Sequence, residues 1–224
     1  MKLIIALIGA ATLLLSSSAQ NINTYPLWNG ANYINAWGAN GTASYGESFT
    51  ATPSQNNLLS MTFSINAANS SSYNFRAYVF RWTGSDTLGA PLFTSAITPA
   101  PTSVGTFVPV IVNTGGLNLT PGQQYVAFYS VNGLGNTNGG IAEWAYLGTS
   151  AAGGFDGYTG GNFVFNNNLD TTFAGGWQNP TYYGGLPAHD LAFQFNFVPE
   201  PSAFALASLG ALGLALRFRN SSKA

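Results

Sequence analysis

An alternation of large apolar residues with smaller or polar ones marks three segments between residues 20 and 198. It is clearest in residues 190–197 and recurs in residues 59–65 and 73–79. Because successive side chains of a strand point to opposite faces, each segment predicts a strand with one buried face. The positions expected in the core are Leu191, Phe193, Phe195, Phe197, Leu59, Met61, Phe63, Ile65, Tyr73, Phe75, Ala77 and Val79. Aromatic residues such as Trp82 occupy the other face of the third segment, so we expect it to be covered on both sides.

Further strands are predicted where short apolar runs lie between turns rich in Gly, Pro and Asn. The candidates are residues 104–113, 124–131, 141–147 and 162–165. Pro109 has no amide hydrogen, so the first candidate is expected at a sheet edge or a bulge. No stretch of residues 20–198 sustains a helical apolar period. These features predict an all-β fold, a single antiparallel β-sandwich with jelly-roll-like connectivity.

The N-terminal end has the three parts of a secretory signal peptide. Lys2 precedes an apolar run over residues 3–15, and small residues follow. Ser17 and Ala19 take the positions expected before a cleavage site, so the mature chain would begin at Gln20. We therefore expect this segment to be helical and to engage the secretion translocase and then signal peptidase. An uncleaved membrane helix is the alternative.

The C-terminal end combines a proline-containing motif, an apolar run and a cationic end. The run covers residues 202–216, and Arg217 and Arg219 follow it. Fifteen helical residues reach about 22 Å, short of a hydrocarbon core of about 30 Å unless the flanking arginines snorkel. The positive-inside rule would keep those arginines in the cytoplasm and place the body outside the inner membrane. The pattern therefore predicts a marginal membrane helix.

This tail resembles the PEP-CTERM sorting domain of Gram-negative bacteria. The residues that carry the resemblance are Val198, Pro199, Glu200, Pro201 and Ser202, the apolar residues 203–216, and Arg217, Phe218 and Arg219. The resemblance implies that an exosortase, a membrane-embedded cysteine transpeptidase, recognises the chain and that processing occurs near Pro199–Pro201. The chain would then be the substrate and not the enzyme. A simple C-terminal membrane anchor is the alternative.

The body between the two ends carries few charges. Two arginines, Arg76 and Arg81, stand against six carboxylates, a net charge of −4. Nucleic acid is therefore excluded as a partner, since neutralising phosphates needs clustered Lys or Arg. The chain has no cysteine, which excludes disulfides and thiolate metal sites. The predicted organisation is a signal peptide at residues 1–19, one ectodomain at 20–197 and a sorting tail at 198–224.

The sequence contains no catalytic constellation. His189 is the only histidine and adjoins Asp190, but neighbours on a strand point to opposite faces and form no relay. Glu47 and Glu143 are conceivable partners in glycoside hydrolysis, although nothing in their spacing supports a pair. We therefore predict no catalytic residue and no cofactor.

Isolated acidic residues leave a calcium site open as a hypothesis. Asp156, Asp170 and Asp190 lie in or near predicted loops, where carbonyl oxygens could complete such a site. They form none of the closely spaced patterns of a calcium loop. The favoured interpretation is solvated loop carboxylates, and no metal site is predicted.

Aromatic residues in the loop-rich second half suggest a further function. Flat exposed aromatic rings stack on sugar rings, and the residues predicted to do so are Trp177, Tyr182 and Tyr183. Residues 117–130 resemble hairpins of secreted bacterial β-sandwiches, including carbohydrate-binding-like modules. The leading hypothesis is an exported, transiently anchored, non-enzymatic protein of the cell surface or extracellular matrix. A module that binds polysaccharide is the alternative, and a secreted hydrolase is the least favoured.

Overall fold

The structure, a computed structural model, describes residues 20–69, 72–136, 141–148, 155–167, 170–179 and 189–198. The predicted signal peptide and the predicted membrane helix lie outside these residues. Within them, no helix has both the length and the apolar character needed to cross a membrane.

The described residues form thirteen strands and one short 3₁₀ helix, Tyr25–Leu27. The strands are β1 Ile22–Asn23, β2 Tyr33–Gly38, β3 Ser44–Thr50, β4 Asn57–Ala67, β5 Asn74–Trp82, β6 Thr87–Thr94, β7 Thr98–Pro99, β8 Val108–Asn118, β9 Gln124–Ser130, β10 Ile141–Ala145, β11 Phe163–Asn166, β12 Trp177–Gln178 and β13 Phe193–Phe197. The prediction of an all-β chain is confirmed for this part of the sequence.

Two antiparallel sheets make up the body. The first has the strand order β1-β13-β4-β10-β2. In addition to the neighbours in this order, β4 pairs with β8. The second has the order β12-β11-β3-β9-β5-β6, and β7 pairs with β5. β8, which contains Pro109, pairs with β4 alone among the described strands, as an edge strand should. The jelly-roll-like connectivity stays a prediction.

The two sheets share one aromatic core. Trp144 of the first sheet lies at its centre, with ring centroids 5.6 Å from Tyr45 and 5.5 Å from Tyr129 of the second sheet. Within its own sheet it contacts Phe63 at 4.9 Å and Trp37 at 5.1 Å. These rings are at most 2% exposed. Such edge-to-face contacts join the two antiparallel sheets through one core, and the predicted β-sandwich is compatible with them.

One predicted core position is wrong. Leu59 is 41% exposed, whereas Leu58 is fully buried. The register of β4 against β8 shifts between Leu58 and Ser60, so the alternation of the strand changes phase there. The rest of the prediction for this strand is confirmed, because Met61 and Phe63 are fully buried.

The second sheet is covered on both faces, as the pattern of β5 predicts. Val79 and its inward-facing neighbours join the main core. A separate outer cluster is formed by Phe80, Trp82, Val126, Phe128, Val164 and Phe173, with Tyr78 and Trp177 against it. Phe173 comes from a loop, so a loop covers part of the sheet's outer face.

Both ends of the body lie side by side. Ile22 pairs with Phe195, so β1 runs antiparallel to the last strand. The Asn21 carboxamide accepts a hydrogen bond from the Phe197 amide at 3.3 Å. Val198 donates its amide to the Asn57 carbonyl at 2.9 Å, at the start of β4. The predicted signal cleavage site, before β1, and the sorting motif, after β13, therefore adjoin two paired strands.

Candidate functional site

A polar groove of about 580 Å³ opens on the outer face of the second sheet. Its floor crosses four adjacent strands, with Val164 from β11, Ser48 from β3, Gln124 from β9 and Trp82 from β5. These positions meet because antiparallel neighbours place their outward-facing residues in register. Trp177 of the edge strand β12 forms one wall.

Trp177 is fixed in its orientation and only partly buried. Its indole Nε1 donates a hydrogen bond to the Phe173 carbonyl at 2.8 Å. Its ring stands edge-on to Trp82, at 5.5 Å and 86°, and to Phe128 at 4.9 Å. Of the three predicted glycan contacts, the structure thus places Trp177 at a groove. Tyr182 and Tyr183 lie outside the described residues.

The loop before β12 holds this wall in place. Phe173 packs against Phe128 at 5.0 Å and adopts a left-handed φ of 58°. Left-handed backbone is unfavourable for a residue with a side chain, so surrounding contacts must hold it. The carboxylate of Asp86 accepts the Gly175 amide with both oxygens at 2.9 Å, and the Thr87 hydroxyl donates to the Phe173 carbonyl at 2.8 Å.

A second cluster of polar residues lies between the sheets. Glu47 projects inward from β3, and Asp190 precedes β13; both are 0% exposed. Leu191 donates its amide to Glu47 Oε2 at 3.1 Å. Gly157 and Tyr158 both donate their amides to Asp190 Oδ2 at 2.7 Å. The two carboxyl groups lie close enough to shift each other's pKa, and the amide bonds to Glu47 and Asp190 tie the two sheets together.

This contact requires a shared proton. Burial raises the pKa of Glu47 well above its ordinary value, and the neighbouring Asp190 raises it further. Burial raises the pKa of Asp190 to about 7, against the opposing effect of its two backbone hydrogen bonds. Glu47 Oε1 and Asp190 Oδ1 are buried and accept no hydrogen bond from the described residues. A proton on Glu47 satisfies both oxygens and leaves one negative charge instead of two.

This pair is not among the predictions from the sequence. Asp190 was expected to be a solvated loop carboxylate, which is wrong because it is fully buried. The available signal was the alternation of Tyr45, Glu47 and Phe49, which places a carboxylate between two core aromatics. Asp156 and Asp170 are exposed, as expected.

The arrangement differs from the site of a glycoside hydrolase. Glu47 and Asp190 are in contact inside the core and do not flank a cleft that could admit a sugar. Glu143 accepts a hydrogen bond from the Asn66 carboxamide at 2.7 Å. His189 contacts the Tyr146 hydroxyl through Nδ1, while Asp190 binds backbone amides instead. Within the described ranges, His, Asp and Glu side chains nowhere gather in threes that could hold a metal ion.

Residues 197–220 match the family model of the PEP-CTERM protein-sorting motif. No curated protein matches the chain significantly. A solved structure with some likeness is that of the cysteine protease and lectin-like domains of Cwp84, a surface layer associated protein of Clostridium difficile. The alignment has 12% identity and a TM-score of 0.48, and it covers 83% of this chain and 37% of that one. A likeness at this level supports no conclusion about fold or function.

Proposed function

We propose that this chain is an exported protein that an exosortase sorts to the cell surface, where its body serves a non-enzymatic role. The PEP-CTERM motif at residues 197–220 is the observation that carries the proposal. This motif implies an exosortase partner and a surface route that passes through a membrane-anchored state. Export through the translocase and removal of residues 1–19 by signal peptidase complete the proposed route.

The position of the chain ends supports this route. Ile22 and Phe195 pair, so the signal peptide and the tail would leave the body at the same end. A body attached in this way can keep that end toward the membrane while both segments are processed. Phe197, the first residue of the motif, is 1% exposed and belongs to the core. We therefore expect processing after Val198, since an earlier cut would remove part of a core strand.

Replacing Pro199, Glu200 and Pro201 together with alanine tests the sorting step in the native host. The expected result is a longer protein that stays in the membrane fraction and is lost from the surface. The matched control replaces Ser221, Ser222 and Lys223 with alanine, three residues beyond the matched motif. Mass spectrometry of the mature control protein should find a terminus at Gln20 and another shortly after Val198. Unchanged processing and surface display of the first variant would refute the proposal.

Binding of polysaccharide is a second candidate function. The observation that favours it is the groove beside Trp177, which presents an immobilised indole next to amide and hydroxyl side chains. Its test is retention of the full-length protein by soluble polysaccharides. This function is compatible with sorting, because an exported protein meets polysaccharides at the cell surface.

A further inference from the structure

We infer that the groove lined by Trp82 and Trp177 is the binding site for one segment of a neutral polysaccharide chain. The inference rests on the second candidate function and is independent of the sorting route. It assigns the ligand class, the face of the molecule and the residues that recognise the ligand.

Uncommitted polar side chains line the groove. The carboxamides of Gln124, Asn162 and Gln178 and the hydroxyl of Ser85 make no hydrogen bond with other described residues. Each carboxamide offers donors and an acceptor, and a hydroxyl offers both. Sugar hydroxyls need this mixture, because each donates one hydrogen bond and accepts others. The groove therefore presents the polar groups that a polyol can satisfy.

The charge of the groove narrows the ligand class. None of the described residues that line it carries a charged side chain. Asp86 lies behind the wall, where both its oxygens already accept the Gly175 amide. An anionic or cationic ligand would lose its hydration here without gaining an opposite charge. A neutral ligand avoids that cost.

The aromatic wall is prepared for stacking before any ligand arrives. The Trp177 indole is held by its bond to the Phe173 carbonyl and by its contacts with Trp82 and Phe128. Trp82 is 4% exposed, so Trp177 supplies most of the accessible ring surface. A ring that is already fixed loses little conformational entropy on binding. The apolar face of a pyranose can therefore stack on Trp177 while its hydroxyls reach the carboxamides.

The size and shape of the groove fit a chain segment. Its volume of about 580 Å³ lies in the range of small-ligand sites, roughly 300 to 1,000 Å³. The floor runs across four strands from Trp82 to Val164, so it is elongated perpendicular to the strands. It is also partly open to solvent, so a chain segment can reach it from outside.

Affinity electrophoresis of the full-length protein, in a detergent without a sugar headgroup, tests the inference. The probes are xyloglucan, galactomannan, laminarin and dextran, with alginate as the anionic comparison. At least one neutral polysaccharide should retard the wild-type protein more than alginate does. W177A should weaken that interaction about tenfold. W177F should weaken it less because a ring remains, and Q124A should weaken it severalfold.

Two controls separate recognition from general damage. W28A removes a partly buried tryptophan that packs on the first sheet, next to Phe107 at 5.0 Å. Q123A removes the carboxamide of Gln123, a neighbour of Gln124 in the sequence. Gln123 does not line the groove. Both should bind like wild type, and circular dichroism should show all variants folded. If W177A does not fold, the binding of W177F and Q124A decides whether the groove is the site.

The outcomes distinguish the inference from the function on which it rests. If W177A and Q124A are retarded as strongly as the wild-type protein, polysaccharide binding stands, but the groove is not its site. A wild-type protein that none of the probes retards would overturn both. Stronger retardation by alginate than by every neutral probe would overturn the assigned ligand class. None of these results depends on the fate of the C-terminal tail.

Discussion

The buried Glu47–Asp190 pair predicts that the protein loses stability as the pH rises from acidic to neutral. Burial, opposed by two backbone hydrogen bonds, raises the pKa of Asp190 from 3.8 to about 7 in the folded state. A carboxyl with a raised folded pKa contributes stability that is fully present below the unfolded pKa. That stability is lost as the pH rises through the folded pKa, because the unfolded chain releases its proton first. Glu47, whose pKa is also raised, acts in the same direction.

The size of the effect follows from the pKa of Asp190. A change from 3.8 to about 7 corresponds to roughly 4 kcal/mol of differential stability between the protonation states. The part of this change that lies between about pH 5 and about pH 7 is accessible to experiment. It corresponds to a loss of roughly 3 kcal/mol in the free energy of unfolding. Many proteins gain stability over the same range, because their carboxylates are stabilised in the ionised form. The predicted sign is therefore distinctive.

Chemical denaturation of the full-length protein at about pH 5 and about pH 8 measures this difference. D190N should reduce it clearly but not abolish it, because the introduced carboxamide cannot ionise and its oxygen can still accept the Gly157 and Tyr158 amides, whereas Glu47 stays buried and keeps its own contribution. D170N is the matched control, since Asp170 is exposed and hydrogen-bonds to Thr172 in its own turn. A wild-type protein at least as stable at the higher pH would refute the reasoning. So would a D190N variant with an undiminished pH difference.

Two further predictions concern the packing of the second sheet. F173A should destabilise the protein by about 3–5 kcal/mol in denaturant titrations, because it removes a buried ring from the outer cluster; F155A, at a side chain 52% exposed, should change stability by less than about 0.5 kcal/mol. G46A should cost about 1–3 kcal/mol or more, because the added methyl group would fall on the Ala127 carbonyl and the Phe128 side chain; a thermal midpoint equal to that of wild type would contradict it.

Alternating aromatic patterns were reliable where one face of a strand meets the core. Residues 190–197 and 73–79 are predicted as strands because large side chains recur at every second position, and the structure contains β13, Phe193–Phe197, and β5, Asn74–Trp82, there. The hydrophobic effect acts on each such residue separately, so the pattern remains readable without knowledge of the partner strand.

β3 was missed for a physical reason. Its outward positions hold Gly46 and Ser48, and its inward positions include Glu47. Glu47 is tolerated in the core because residues far along the chain supply its neighbours, the Leu191 amide and the Asp190 carboxyl group. The shift at Leu58 depends in the same way on the pairing with β8. The alternation of Tyr45, Glu47 and Phe49 is legible in the sequence, but these distant partners are not.

The candidate groove was only partly predictable for the same reason. Trp177 could be named from its residue type and its loop-rich surroundings. Its neighbours Gln124 and Asn162 come from other parts of the sheet, and no spacing in the sequence links them. The prediction that nucleic acid is not a partner, by contrast, rests on composition alone, since a charge count needs no structure.

The outer face of the second sheet is covered selectively, and this supports the proposal that the groove is a binding site. One part of the face is apolar, and the loop residue Phe173 covers it despite the cost of a left-handed backbone. In the groove the same face presents Ser48 and Gln124, and it stays open. The loop that covers the first part also orients Trp177 over the second through the Phe173 carbonyl. One structural element thus seals the apolar part and builds the wall of the polar part, which is what a binding face on a stable sheet requires.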